Sequence, residues 1–188
     1  MDDGKSETDE RLMLAVRDGD VARLEVLFDR HHRRLHDFFA RMTGNRGVAD
    51  DLVQDVFLRI LKYRQNYRDD GLFRAWLFRI ARNAQADYFN THSGESPFPE
   101  DGFHPQSRAP LPDRELEQQQ DVELLQCAML KLSVDKREVL VLSRYQGMKY
   151  EEVANVLSCE VGAVKVRVHR ALKELREIFL AMSRARQL

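Results

Sequence analysis

The chain has 188 residues, 43% hydrophobic and 32% charged, with a formal net charge of -1. No apolar run is long enough to cross a bilayer, and no signal-like stretch follows a basic start, so a soluble cytoplasmic protein without membrane insertion is expected. Near-neutral charge argues against coating nucleic acid by bulk electrostatics, and two cysteines without C-x-x-C spacing, Cys127 and Cys159, predict thiols rather than a disulfide or a metal pair.

In chain order, Leu12 to Val16 and Leu24 to Met42 predict a short and a long helix, divided near Gly19 and Asp20. Gly44 and Gly47 flank a turn into a third helix, whose apolar side is Val48, Leu52, Val53, Val56, Phe57, Ile60 and Leu61. A fourth follows a break helped by Gly71, with Phe73, Leu77, Ile80, Ala84 and Tyr88 along one side. All five prolines, Pro97, Pro99, Pro105, Pro110 and Pro112, then fall in one stretch without apolar periodicity, which reads as a linker. Beyond it, a helix capped by Asp113 runs to about Leu132, with Leu116, Leu124, Cys127, Met129 and Leu130 apolar. Ser133 is placed to cap the next, whose Val139, Leu140 and Leu142 precede a stop at Gly147. A short helix near 150–157 and a long one near 161–182 complete an all-α chain of two small helical domains, 1–91 and 113–188, joined by the segment 92–112.

Charge is unevenly distributed. Between Val56 and Asn90 there are seven Arg/Lys against three acids, and from Val161 to Arg176 five against one. Two basic regions in a neutral chain predict two nucleic-acid contacts. The last two helices have the form of a helix-turn-helix, with Ala154 small enough for close approach and Val153, Leu157, Val161, Val164, Val168, Leu172 and Leu175 as the seam. The other side of the long helix presents Gly162, Ala163, Val166, His169, Arg170 and Lys173 toward base edges, with Lys165 and Arg167 placed for phosphates. In F-R-A-W-L-F-R-I-A-R-N, from Phe73 to Asn83, Arg79, Arg82 and Asn83 point away from the packing side and Trp76 sits on its border. Aromatics beside cations stack unpaired bases, although such a face also serves as plain solvated surface.

Two separate stretches resemble one family. D-D-L-V-Q-D-V-F-L-R-I-L from Asp50, followed by the Phe73 to Asn83 run, is similar to regions two-point-two to two-point-four of extracytoplasmic-function sigma factors. Y-E-E-V-A-N-V-L-S-C-E-V-G-A-V-K-V-R-V-H-R-A from Tyr150 resembles their region four, in the same order. The resemblance implies an alternative sigma factor that binds core RNA polymerase, recognises promoter DNA and promotes melting, with no cofactor. It implies that Asp51, Gln54, Asp55, Leu58 and Arg59 meet the beta-prime clamp. It also implies that Asn66, Tyr67, Arg68, Arg74, Trp76, Arg79, Arg82 and Asn83 serve the melted minus-ten element, a flipped base being held near Tyr67 to Gly71. The helix from Val161 would read the minus-thirty-five duplex, the surface near 139–147 would face the beta flap, and an anti-sigma factor is an expected partner. Ala163 and Val166 replace polar residues common in the family, which removes hydrogen bonding there and leaves contact with a thymine methyl. Ser158 replaces the turn glycine.

Two other readings compete. A stand-alone operator-binding regulator would share the helix-turn-helix but leaves the first domain unexplained. An enzyme would need a metal or catalytic set; His31, His32 and His36 with Asp29 or Asp37, or Asp51 with Asp55, are the nearest approach, and no phosphate loop, nucleophile elbow or H-E-x-x-H accompanies them. The acidic start and the acidic linker are also placed to screen the basic faces of the free protein.

Overall fold

A computed structural model of the chain describes residues 7–70, 72–92 and 113–186, the side chains of 113–119 excepted. The linker prolines, the acids before Glu7, Gly71, and the side chains of Asp113 and Leu116 lie outside the described residues. Among the described residues there is no strand: α1 is Asp9–Asp18, α2 Arg23–Thr43, α3 Arg46–Tyr63, α4 Phe73–Thr91, α5 Asp113–Lys131, α6 Val134–Leu140, α7 Tyr150–Leu157 and α8 Val161–Arg186. A 3-10 turn, Arg64–Asn66, extends α3, and a π turn, Val141–Tyr145, extends α6.

Local chemistry sets the boundaries. Helix α1 starts ahead of its first apolar residue because Thr8 occupies the N-cap and accepts from Arg11 N–H at 3.4 Å. Asn45 does the same for α3, accepting from Val48 N–H at 3.2 Å. Helix α2 ends at Gly44, whose φ of 73° is open to glycine at little cost; a Cβ there would also lie 2.8 Å from Leu130 Cδ1 on α5. Ser133 stands at the N-cap of α6 as expected, but its hydroxyl makes no capping bond.

In the first domain, α1, α2, α3 and α4 enclose Phe38, Phe39, Phe73 and Phe78, all fully buried, with Leu12, Leu35, Ile60 and Leu77 around them. In the second, Val139 to Leu142 pack beneath α7 and α8 with Val153, Val156, Val164, Val168 and Ala171. The expected seam of α8 is corrected at one position: Leu172 is 39% exposed and Ala171 takes its place inside. Full burial of an aliphatic or aromatic side chain contributes about 1.5–3 kcal/mol, and the buried residues of the two domains join in one continuous cluster.

The two domains also touch. Helix α4 lies against α7, and α2 against α5, α6 and the π turn. Arg137, 7% exposed, binds this junction by donating to the carbonyls of Met129 and Leu130 in the last turn of α5, of Leu132 just past it, and of Met42 near the end of α2. Burial lowers its pKa from the ordinary guanidinium range.

Candidate nucleic-acid and polymerase interfaces

On α8 a strict division by face places the expected base-reading row outside. Val164, Val168 and Ala171 are buried, while Gly162, Lys165, Val166, Arg167, His169, Arg170 and Lys173 are exposed and Ala163 is half-buried. Lys165, Arg167, Arg170 and Lys173 make no side-chain hydrogen bond or ion pair among the described residues, so their charge is available to phosphates. Val166, 49% exposed, presents an apolar side chain to solvent in the middle of this row. The turn from α7 is made by Ser158, at φ 51° and ψ 49°, which a glycine would adopt without strain.

The row on α4 is divided differently. Trp76 is half-buried, packed edge-on against Tyr67 with ring centres 5.0 Å apart and tilted against Phe73 at 6.2 Å. Tyr67, expected to face the strand, is 2% exposed: the chain after the 3-10 turn folds its ring inward beneath Trp76. Burial, with the charges of Glu10, Asp70, Asp69 and Asp9 around it, pushes the Tyr67 phenol well above its usual pKa. Asn66, Arg68, Arg79 and Asn83 are exposed. Arg74 and Arg82 are engaged: Arg74 donates to the Gln146 carbonyl and lies 3.8 Å from Glu152, and Arg82 Nε is 3.1 Å from Glu138 Oε1. Sequence periodicity marked Arg82 as surface, Arg74 entered only through the resemblance, and neither reading carried a signal for these partners.

On α3, Asp51 and Gln54 are exposed and Leu58 is 66% exposed, an isolated apolar side chain in solvent. Beside it Arg59 is fixed between Asp55 at 2.8 Å and Asp87 of α4 at 2.6 Å. The surface expected at 139–147 is corrected: Val139 to Leu142 are core and Gln146 is 9% exposed, because this apolar run packs under α7 and α8. Arg144, Tyr145 and Gly147 remain outward, and the Arg41 guanidinium lies 3.8 Å above the Tyr145 ring.

The three histidines of α2 diverge. His31 is buried against Asp9, His32 bonds the Phe28 carbonyl at 2.9 Å, and His36 lies 3.5 Å from Asp50. Among the described residues no group of three or more His, Cys, Asp or Glu is placed to hold a metal ion, and no helix is long and apolar enough to cross a membrane. Cys127 and Cys159 are free thiols.

Two helical domains, the second closing in a helix-turn-helix with an unpaired cationic face, define a DNA-binding regulator. Residues 27–94 match the family model of sigma-70 region 2 and residues 122–175 that of sigma-70 region 4. The chain is 35% identical over 168 residues to RNA polymerase sigma factor CarQ of Myxococcus xanthus, covering 88% of this chain and 94% of that one. It is 28% identical over 158 residues to ECF RNA polymerase sigma factor SigX of Bacillus subtilis, 81% of each. The solved sigma factor RpoE of Bartonella quintana, in complex with the anti-sigma factor NepR, superposes with a TM-score of 0.65 at 25% identity, over 82% of this chain and 94% of that one. The chain belongs to the extracytoplasmic-function group of the sigma-70 family: it is an alternative sigma factor for transcription initiation.

Proposed function

We propose that this sigma factor divides promoter recognition between its two helical bodies, taken as residues 1–91 and 113–188 with a linker at 92–112. The α8 row from Gly162 to Lys173 reads the minus-thirty-five duplex, and the outer face of α4 with Asn66 and Arg68 takes the melted minus-ten strand. Trp76, supported from beneath by Tyr67, supplies the stacking surface. The observation that carries the reading is the α8 face, where Lys165, Val166, Arg167, His169, Arg170 and Lys173 stand outside over the buried row Val164, Val168 and Ala171.

The edge of α3 formed by exposed Asp51, Gln54 and Leu58 with half-buried Asp55 and Arg59 meets the beta-prime clamp of core polymerase, and the outward part of 139–147 meets the beta flap. Each DNA contact is weak alone; the polymerase holds both in register, so that the two contacts add as linked events. Melting is favoured because unpaired bases gain stacking and ionic contacts that the duplex lacks. The chain works in the cytoplasm, needs no cofactor and performs no chemistry of its own, leaving synthesis to the polymerase. An anti-sigma factor restrains it, as NepR is bound by the Bartonella quintana relative.

Run-off transcription with core polymerase, with and without the chain, tests the assignment. A start-site-specific product that requires both is expected. A chain that binds duplex but never supports initiation would instead be an operator-binding regulator.

A further inference from the structure

Two residues on the outer face of α8 are there at the helix's expense. A Cβ built on Gly162 meets no neighbouring atom within 4 Å, so the packing has no need of a glycine at that position. Val166 is 49% exposed and lies outside the hydrophobic core. Glycine and valine are both poorer helix formers than alanine, the one through backbone entropy and the other through a restricted χ1. Neither helix propensity nor burial explains them.

Their place on the helix supplies a reason. Gly162, Ala163, Val166, His169, Arg170 and Lys173 span about 120° of the helix circumference, with Val166 inside that arc and about 160° from the buried Val164. Gly162, Ala163 and Val166 belong to the first two turns of the second helix of a helix-turn-helix, the part that contacts base edges. None of the three side chains carries a hydrogen-bond donor or acceptor. Lys165 and Arg167 border this strip on its two sides, both exposed, and cations of that kind bind phosphates without regard to sequence. Any sequence preference in these two turns must then come from apolar contact, and the major groove offers one apolar mark, the C5 methyl of thymine.

We propose that α8 selects thymine in the upstream duplex by its methyl group. Val166 makes the contact, and the absence of a side chain at Gly162, with only a methyl at Ala163, lets the helix come close enough for it to form. The inference rests on the reading of α8 as the duplex-binding helix. It goes beyond that reading in naming the chemical group that is read. Because 5-methylcytosine carries its methyl at the same ring position, a methylated cytosine meets Val166 as thymine does.

The test uses holoenzyme, the full chain with core RNA polymerase, and a pool of randomised duplexes whose bound fraction is sequenced. Wild type should enrich a thymine that Val166→Ala does not; no such thymine overturns the proposal. Deoxyuridine in its place removes the C5 methyl alone and should weaken wild-type binding about fourfold, the change expected for one buried methyl-sized group. Cytosine at the same position should gain by a similar factor on C5 methylation, and Val166→Ala should respond to neither change. Gly162→Ala should raise the melting temperature while weakening duplex binding across sequences; unchanged affinity in that variant overturns the close approach. Lys165→Ala separates the two levels of the argument. Equal wild-type binding of thymine and deoxyuridine duplexes, both weakened by Lys165→Ala, overturns the methyl reading and leaves α8 on the duplex. Duplex binding indifferent to Lys165→Ala as well removes α8 from the duplex, and the methyl reading with it.

Discussion

His31 Nε2 donates to Asp9 Oδ2 at 2.7 Å, and Arg30 Nη1 donates to the other oxygen of the same carboxylate at 2.7 Å, so the first residue of α1 fastens that helix to α2. Burial lowers the His31 pKa from its ordinary 6.5; Asp9 opposes this, and the charges of Arg34 and Arg30 add to it. The unfolded chain therefore takes up a proton at this position as pH falls through about 6.5, whereas the folded chain does so only further down. Stability present above that pH is lost on acidification. Urea midpoints should drop between pH 7.5 and 5.5, and His31→Gln should flatten the drop; an unchanged slope in the variant would remove His31 as its source. Asp9→Asn should cost about 1–2 kcal/mol at neutral pH.

Arg137 satisfies four backbone carbonyls from one buried guanidinium, two of them at 3.1 Å. Arg137→Ala leaves those acceptors buried and unpaired, and should destabilise the chain by about 3 kcal/mol or more. Arg137→Lys restores charge without the planar fork, so thermal melts should show it recovering only a minority of the loss. Full recovery by lysine would mean that charge alone matters there.

Ser158 holds a left-handed conformation that costs a side-chain-bearing residue about 1–2 kcal/mol, against a smaller entropic cost for glycine. Ser158→Gly should therefore stabilise the protein by about 0.5–1 kcal/mol without altering the binding of duplex DNA. A loss of stability would show that the hydroxyl compensates for the strain.

Lys165→Ala and Arg167→Ala remove exposed cations that take part in no internal pair. Each should leave the melting temperature nearly unchanged, weaken duplex binding similarly across sequences, and lower the slope of log affinity against log salt by about 1. Val166→Ala should instead act at one base position, with little change in slope.

Leu58 is 66% exposed, so its loss removes almost no burial. Leu58→Ala should change stability by no more than about 0.5 kcal/mol while weakening capture by core polymerase. Undiminished capture would exclude this edge of α3 from the clamp contact.

The apolar period located the helices, and cap chemistry their ends, since both are properties of neighbouring residues. At the α8 seam the same reasoning slipped by one residue. Two further steps of four carry the helix face about 80° past Val164 by Leu172, whereas Ala171, seven residues on, lies within about 20° of it; the smaller residue is therefore inside. The inward turn of Tyr67 was likewise not legible, because a loop ring has no periodic neighbours to fix its direction. The exposed row of α8 needed only the helical period, and it appears where that period places it.

By itself the sequence determined two helical bodies, a helix-turn-helix at the end of the second, and the family that carries this order of motifs, because each depends on residues within a few turns of one another. Tertiary structure alone decided that Arg82 meets Glu138, 56 positions away, and that Arg74 meets the Gln146 carbonyl, 72 away. Those partners are set by how the surfaces of the two domains fit together, and no local period or cap encodes that fit.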